Sequence, residues 1–361
     1  MTWTSVPFLS LAVFSVVFAA VFIGSGRLVG FLRQREVLDH PNKRSSHLTP
    51  TPRGGGIAVI GVILPVWAGV GWFAPQIFTH PSTVSFSSLV LVLFCALGLA
   101  VISWLDDLRG LTPIFRLILQ FTVAIAGLYA LPPGPSGEAL VFQGLLPAIA
   151  DHVVAALIWV WFLNLFNFMD GIDGITGVEA ASVGSGVFLV ALFAGGIQDW
   201  AFFGLSAAAA ACGFLCWNWN PAKLFIGDVG SVPLGFLLGW LLLGLTTTGY
   251  WAPAVILPLY YLADATLTLG LRLLRGEKVW QAHRQHFYQR AVQAGASHAK
   301  VCRLVGVANL GLLLLAVATI LEFSSNVPLL CIAAAALVVA GLMARLQNPG
   351  AGQNCSGGAP R

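Results

Sequence analysis

The chain has 361 residues, of which 58% are hydrophobic and 9% are charged, and its formal net charge is +4. Soluble globular proteins carry charge on about a quarter of their residues, so the composition excludes a soluble enzyme. It also excludes a disordered chain, a collagen and a small disulfide scaffold. A membrane-spanning helix needs about 20 mostly apolar residues, and eleven such stretches leave little chain for a domain outside a membrane.

The eleven apolar stretches are long and do not alternate in polarity as membrane strands do. Helices are then the only structure that can span the bilayer, so the sequence predicts an all-α, polytopic bundle of about 11 transmembrane helices. The stretches lie at about 6–30, 54–75, 86–104, 114–131, 151–168, 176–196, 199–217, 231–249, 251–274, 301–321 and 327–346. We expect residues 1–346 to form one membrane domain, with the first stretch retained as an anchor, and residues 347–361 to be a disordered cytoplasmic tail.

The positive charges predict the orientation of this bundle. All 18 Lys and Arg residues lie in the odd-numbered connections, at the span ends beside them, or after the last span. Because positively charged short loops stay in the cytoplasm, we expect the N-terminus outside and the C-terminus in the cytoplasm. The inner loops then lie at about 32–53, 105–113, 168–176, 218–231 and 275–300.

Five carboxylates fall in these inner loops: Asp106, Asp107, Asp170, Asp173 and Asp228. The adjacent pair in SWLDDLRG is costly beside hydrocarbon and opposes the helix dipole, unless the pair meets a divalent cation or one carboxyl accepts a proton. A solvated helix end is the alternative. In NFMDGIDG and IGDVGS the carboxylates stand beside glycines, where their oxygens can point at one hard cation, although such turns are common.

Two other inner loops supply cations. DHPNKRSSHLTPTPRGGG contains Lys43, and HRQHFYQR contains His283, Arg284, His286 and Arg290. Arginine can hold two phosphate oxygens at once, and histidine can add charge or exchange a proton near neutral pH. The alternatives are an ordinary positive-inside loop and a segment that binds lipid head groups.

Carboxylates that collect Mg²⁺ opposite cations that collect phosphate form the arrangement that phosphoryl transfer needs. The composition alone also permits a secondary transporter or a lipid flippase of the same topology. Transporters place ionisable groups near the bilayer midplane, where only Asp264 comes close. For Asp264, a functional role and a helix-packing hydrogen bond both stay open. A non-catalytic assembly scaffold is a third interpretation.

The ordered motifs resemble those of the polyprenyl-phosphate N-acetylhexosamine-1-phosphate transferases. This family includes the muramyl-pentapeptide translocase and the enzymes that start O-antigen, enterobacterial common antigen and teichoic acid linkage units. The resemblance runs from about Asp39 to Arg290 through DHPNKRSSH with TPRGGG, the Asp106–Asp107 pair, NFMDGIDG, AKLFIGDVGS and a His-containing loop.

The resemblance implies the reactants and the location. We expect Mg²⁺ as the cofactor, with Mn²⁺ as an alternative ion, a UDP-N-acetylhexosamine donor and undecaprenyl phosphate as the acceptor. Membrane lipids are expected partners and nucleic acid is not, while a homodimer stays open. The implied location is the bacterial inner membrane, with the active site on the cytoplasmic face.

The resemblance also implies roles for individual residues. Asp228 would bind Mg²⁺, while Asp170 and Asp173 would shape the metal site and, with Asn167, hold the nucleotide. Asp106 or Asp107 would receive the proton of the lipid phosphate. The remaining implied substrate contacts are Lys43 on the nucleotide, Phe225 stacked on uracil, and His283, Arg284, His286 and Arg290 on the diphosphate and sugar side.

The chain departs from the family pattern at two places. Gly110 stands where relatives often have the third carboxylate of Asp-Asp-x-x-Asp, and HRQH replaces the triple histidine of the muramyl-pentapeptide branch. The second departure favours an enzyme that starts a surface polysaccharide of the O-antigen type. We expect direct displacement of UMP by the lipid phosphate, with a two-step covalent route left open. The sequence does not decide between N-acetylglucosamine and 6-deoxy relatives.

Overall fold

A computed structural model describes residues 6–41, 49–77, 83–134, 136–194, 197–278, 283–321 and 326–348. Of these residues 76% are helical, which confirms the predicted class. The helices are α1 (Val6–Gln34), α2 (Gly56–Ile77), α3 (Phe86–Arg109), α4 (Pro113–Leu128), α5 (Ala148–Phe168), α6 (Ile175–Ala194), α7 (Gln198–Asn218), α8 (Asp228–Thr247), α9 (Trp251–Ile256), α10 (Leu259–Leu274), α11 (Phe287–Gln293), α12 (His298–Ala318) and α13 (Val327–Gln347). Two short antiparallel strands, β1 (Leu38–Asp39) and β2 (Thr51–Pro52), pair in the first inner loop.

Within these described ranges, nine helices are long and apolar enough to cross a membrane. The shorter α4 is apolar as well. The prediction of one continuous span at 251–274 is wrong, because α9 ends before Leu257 and α10 begins after Pro258. Proline lacks the N–H that a helix needs and its ring crowds the preceding turn, so the helix breaks there. The fifth inner loop also contains α11, a helix that the sequence did not predict.

Helix α8 forms the centre of the bundle. It is buried along nearly its whole length and packs against α2, α3, α5, α6, α7 and α9. Small residues let its backbone approach α5, since a Cβ atom on Gly235 would lie 2.9 Å from Cβ of Phe166. The next residue of α8, Phe236, stacks its ring on that of Trp159 in α5, with the ring centroids 4.7 Å apart. This packing fixes the N-terminus of α8, where Asp228 stands.

Two buried carboxylates hold loops in place at the end of the bundle opposite the inner loops. Asp151, in the first turn of α5, accepts hydrogen bonds from the N–H groups of Val141 (3.0 Å) and Phe142 (2.8 Å). Asp199, in the first turn of α7, accepts from the N–H and the hydroxyl of Thr83. A negative charge near a helix N-terminus is favourable, so these two carboxylates stabilise loops and need no catalytic explanation.

We predict that Gly235→Ala lowers the thermal unfolding midpoint in detergent. The new Cβ would lie 2.9 Å from Phe166 Cβ and 3.1 Å from Leu163 Cα, which cannot move without a shift of α5. Overpacking of this kind costs about 1–3 kcal/mol. Gly341→Ala is the control, because nothing lies within 4 Å of its Cβ position. An equal midpoint for both variants would contradict the close approach of α5 and α8.

Candidate active site

Backbone hydrogen bonds join the first and fourth inner loops. Phe225 donates its N–H to the carbonyl of Pro52 at 2.9 Å, and its own carbonyl accepts from Gly54 (3.1 Å) and Gly55 (2.8 Å). The TPRGGG and AKLFIGDVGS motifs, which lie about 170 positions apart, therefore form one structural unit. Phe225 is partly buried on this unit.

The two helices that leave this unit touch at their first turns. A Cβ atom on Gly56 of α2 would lie 2.1 Å from Cα of Gly230 of α8, and Gly56 donates its N–H to the Ile226 carbonyl at 2.8 Å. Only glycine permits backbones to meet this closely. The contact explains why both motifs are rich in glycine.

Arg53 lies between two carboxylates from different helices. Its Nη2 atom is 2.8 Å from Oδ1 of Asp107, at the end of α3, and 2.8 Å from Oδ1 of Asp228, at the start of α8. Burial opposes the charge of Arg53, but the nearby Asp228, Asp107 and Asp39 together raise its pKa above the ordinary value. The Asp107 Oδ2 atom is buried and has no hydrogen-bond partner among the described residues. We call Arg53, Asp107 and Asp228 the carboxylate site.

The adjacent residue Asp106 points elsewhere. Its Oδ2 atom lies 2.8 Å from Nη1 of Arg116 in α4, and its Oδ1 accepts from the N–H of Leu111. Successive helix residues are rotated by about 100°, so neighbours in the sequence face different partners. The structure thus separates the pair: Asp107 belongs to the carboxylate site, while Asp106 secures the turn between α3 and α4.

Asp170 of the third inner loop lies near the carboxylate site. Its Oδ1 accepts from the hydroxyl of Thr176 at 2.7 Å. Burial raises the pKa of Asp170 to about 6; the Thr176 hydrogen bond lowers it and the charge of Asp228 adds to the rise. Asp170 is therefore close enough to Asp228 for their charges to interact.

Asp173 is occupied by contacts that join three loops. Its Oδ2 accepts from Nδ2 of Asn220 (2.8 Å) and from the N–H of Ala222 (3.1 Å), and it lies 3.3 Å from Nδ1 of His298. Burial alone would raise the pKa of Asp173, but the contacts with His298 and Asn220 lower it overall. This pattern is typical of a residue that ties loops together, so its predicted role in metal binding has no geometric support here.

A cleft of about 470 Å³ opens beside Asp228 between α3, α4 and α5. Its polar end includes Asp106, Arg116, Asn164, Asn167 and Asp228. Its other walls are mainly apolar and include Leu99, Ile102, Leu117, Leu157, Val160 and Trp161. The cleft is thus polar at one end and apolar along its length.

Sequence reasoning missed three residues of this region: Arg53, Arg116 and Asn164. Asn164 donates to Oε1 of Gln120 at 2.8 Å. A signal for Asn164 was present, because Asn164, Asn167, Asp170 and Asp173 recur every three residues. The two asparagines therefore share one face of α5. Arg53 and Arg116 were visible only as inner-face charges.

The fifth inner loop contributes a buried rather than an exposed histidine. His286 is 2% exposed and its Nδ1 lies 3.1 Å from Oδ1 of Asp264. His283 is partly buried, and burial together with His286 and Arg272 lowers its pKa to about 4. Arg284 is partly buried, whereas Arg290 is exposed with its guanidinium 4.3 Å from the centre of the Phe287 ring.

The predicted contact of Lys43, in the first inner loop, falls outside the described residues.

The carboxylate site fits a magnesium ion that shares its ligands with a substrate. No group of three or more His, Cys, Asp or Glu side chains converges on one point in the part of the chain that the structure describes. Mg²⁺, however, is usually held by one or two carboxylates, with water and substrate phosphates completing the shell. Asp107 and Asp228 can supply that pair, and the unpartnered Oδ2 of Asp107 is a free ligand atom.

Comparison with known proteins supports the predicted resemblance. The model of glycosyl transferase family 4 matches residues 89–246, which include Asp107, Asp170 and Asp228. The chain is similar to this family over that segment, which is less than half of its length. The predicted resemblance to the polyprenyl-phosphate N-acetylhexosamine-1-phosphate transferases is thereby confirmed, and the relatives support an enzyme of this kind with several membrane-spanning helices.

Relatives of two kinds are similar to the chain. A decaprenyl-phosphate N-acetylglucosaminephosphotransferase of Mycobacterium leprae is 26% identical over 83% of this chain and 81% of the relative. A probable undecaprenyl-phosphate N-acetylglucosaminyl 1-phosphate transferase of Bacillus subtilis is 28% identical over 72% of this chain and 71% of the relative. A phospho-N-acetylmuramoyl-pentapeptide-transferase of Synechococcus is 32% identical over 61% of this chain and 60% of the relative. The branch is not resolved by these matches.

We predict different outcomes for the two adjacent aspartates. Asp107→Asn removes one carboxylate of the site and should lower kcat/KM by about 100-fold or more, which corresponds to about 3 kcal/mol of transition-state stabilisation. Asp106→Asn alters only the turn beside Arg116 and should cost about tenfold or less. The measurement is transfer of labelled sugar phosphate to lipid, per folded enzyme. Equal losses would show that the two residues act as one unit.

We also predict a pH effect for His283. Its pKa of about 4 in the folded protein lies below the ordinary value of 6.5, so the folded state binds fewer protons between these values. The stabilisation is complete above about pH 6.5 and is lost as the pH falls towards 4. Thermal midpoints of His283→Gln should therefore fall less than those of the wild type over this window. The pH profile of activity above pH 6 should not change, because His283 is neutral there.

Proposed function

We propose that the protein transfers N-acetylhexosamine-1-phosphate, or that of a 6-deoxy relative, from a UDP-sugar to undecaprenyl phosphate and releases UMP. The observation that carries this proposal is the carboxylate site at the mouth of a cleft with apolar walls. Such a cleft suits an amphiphile with a phosphate head. The carboxylate site suits a metal-bound diphosphate.

The acceptor would lie in the cleft. Arg116 and the amide of Asn167 can donate hydrogen bonds to its phosphate, and an arginine can hold two phosphate oxygens in parallel. The mainly apolar walls formed by α3, α4 and α5 suit a prenyl chain. This position brings the acceptor phosphate next to Asp228.

The donor is proposed from the relatives and the fifth loop. The two N-acetylglucosamine-phosphate transferases cover more of this chain than the muramoyl-pentapeptide transferases do. HRQH in place of a triple histidine favours the same branch. We therefore propose UDP-N-acetylglucosamine or a 6-deoxy relative, used to start a surface polysaccharide of the O-antigen type. The inner-face position of the positive charges supports a site on the cytoplasmic side of the bacterial inner membrane.

In the proposed reaction, an oxygen of the lipid phosphate attacks the sugar-bound phosphorus of the donor. The bond from that phosphorus to the UMP oxygen breaks, and UMP leaves with the electron pair. The lipid phosphate attacks in its deprotonated form, and Arg53 holds Asp107 and Asp228 in place. Mg²⁺, or Mn²⁺ in its place, would be held by Asp107 and Asp228 and would neutralise diphosphate charge. A covalent intermediate on an aspartate remains a separate route.

The decisive test uses purified protein in detergent with UDP-N-acetylglucosamine, undecaprenyl phosphate and Mg²⁺. We expect label from the sugar to appear in the lipid fraction without any ion gradient, and chelation with EDTA to abolish transfer until Mg²⁺ is restored. Asp228→Asn should lower the rate by about 100-fold or more, since loss of metal-borne charge stabilisation costs several kcal/mol.

Asp151→Asn is the control, because Asp151 is a wholly buried carboxylate at the other end of the bundle. It should keep wild-type transfer per folded molecule. Wild-type rates for Asp228→Asn would refute the assignment of the metal ligand. Gradient-dependent movement of lipid without labelled product would instead favour the transporter or flippase.

A further inference from the structure

Asp264 is a wholly buried carboxylate within the broken span formed by α9 and α10. Its exposed fraction is 0%, and an unsatisfied charge at such a position is strongly unfavourable. Two hydroxyls of its own helix donate to it, Tyr260 to Oδ2 at 3.2 Å and Thr268 to Oδ1 at 3.1 Å. These contacts, one turn to each side, fix the orientation of the carboxylate.

All the other described hydrogen bonds of Asp264 go to the fifth inner loop. Its Oδ1 lies 3.1 Å from Nδ1 of His286 and accepts from the N–H of Phe287 at 3.0 Å, while Oδ2 accepts from the N–H of Tyr288 at 3.4 Å. The first N–H groups of a helix have no partner within that helix. Asp264 therefore holds the start of α11.

This pattern differs from a contact between spans. A helix-packing hydrogen bond would join α10 to a neighbouring transmembrane helix. Within the described ranges, the three tertiary donors to Asp264 instead belong to consecutive loop residues, from His286 to Tyr288. The carboxylate thus positions a segment outside the membrane span.

Helix α11 in turn lies against the loop that carries Asp170. The Tyr288 hydroxyl donates to the carbonyl of Phe168, the last residue of α5, at 3.3 Å. A Cβ atom on Gly171 would lie 2.2 Å from that hydroxyl and 3.0 Å from Nε2 of Gln289. Because Gly171 follows Asp170 directly, a displacement of α11 would also shift Asp170.

The contact also orients His286. The Nδ1 atom of His286 is directed at the carboxylate, which fixes the orientation of the ring. The rings of His286 and Tyr288 stack with centroids 5.7 Å apart, and the His283 ring lies 4.8 Å from that of His286. One carboxylate therefore orders both histidines of the loop.

We infer that Asp264 is a positioning residue for the donor: it holds the His286–Tyr288 segment, and through Tyr288 the Asp170 loop, in the arrangement that binds the sugar diphosphate. This inference rests on the proposed function, because that function assigns the donor to the fifth loop. The expected signature is a change in donor binding that spares the acceptor, because Asp264 does not line the cleft proposed for the acceptor.

The test compares Asp264→Asn with Asp151→Asn in detergent-solubilised, full-length protein. Both carboxylates are wholly buried and accept backbone N–H groups, but only Asp264 contacts the fifth loop. An amide places a donor group where Asp264 has only acceptors. We expect the KM for UDP-N-acetylglucosamine to rise by about 10- to 100-fold, since small displacements at a reacting centre cost up to about 100-fold. The KM for undecaprenyl phosphate should not change, and Asp151→Asn should leave both KM values unchanged.

Thr268→Val serves as a milder variant should Asp264→Asn fold poorly, because it removes one hydroxyl donor and leaves the loop intact. It should raise the same KM by a smaller factor. His286→Asn combined with Asp264→Asn should cost no more than the larger single change, since both act on one contact. Unchanged KM values in the folded fraction of these variants, an equal rise for both substrates, or additive losses would each overturn the inference.

Amide hydrogen exchange separates this inference from the proposed function. Asp264→Asn should speed exchange over Phe287–Gln293 and leave α7 unchanged, whether or not the wild type transfers sugar phosphate. Faster exchange together with an inactive wild type would refute the proposed function alone. Unchanged exchange in α11 would refute the positioning role.

Discussion

The arrangement of the site depends on the backbone pairing between the first and fourth inner loops. Hydrogen bonds from Phe225, Gly54 and Gly55, together with the contact of Gly56 on Gly230, bring together two segments about 170 positions apart. Arg53 is thereby placed within 2.8 Å of Asp228, and Asp107 completes the group from α3. A charged group so close to the bilayer is tolerated only if each carboxylate is paired, and backbone pairing supplies the geometry for that.

Six of the described acids fall into two classes according to the groups that neutralise or solvate them. Asp151, Asp173, Asp199 and Asp264 accept several hydrogen bonds, from backbone amides and from side chains, and such contacts fix a carboxylate in one position. Asp107 and Asp228 are bound mainly by one arginine, and one oxygen of Asp107 remains without a partner. Chemistry is expected where acceptors remain available.

The fold class and two carboxylates that the structure brings together, Asp107 and Asp228, could be predicted from the sequence, while the inner-face position of the loops stays a prediction. The length of each apolar stretch and the position of each Lys and Arg can be read from the sequence without knowing which segments touch in the fold. The break at Pro258 was visible as a proline but not as an interruption, because proline is tolerated in many membrane helices. The sequence does not predict which of Asp106 and Asp107 faces Asp228, because this depends on the rotation of the last turn of α3 about the helix axis. Asp173 and Asp264 looked like site residues or isolated charges, since their partners lie 22 to 125 positions away.

The burial of α8 has a consequence for how the protein acquires activity. This helix packs against α2, α3, α5, α6 and α7, which precede it in the chain, and against α9, which follows it. Membrane helices first insert singly and then associate side by side. The helices that precede α8 must therefore leave a gap in the bilayer plane until α8 arrives, and Asp228 joins Arg53 and Asp107 only when that gap closes. Maturation of the enzyme is thus a lateral docking event late in assembly, and defects in α8 packing should yield inserted but inactive protein.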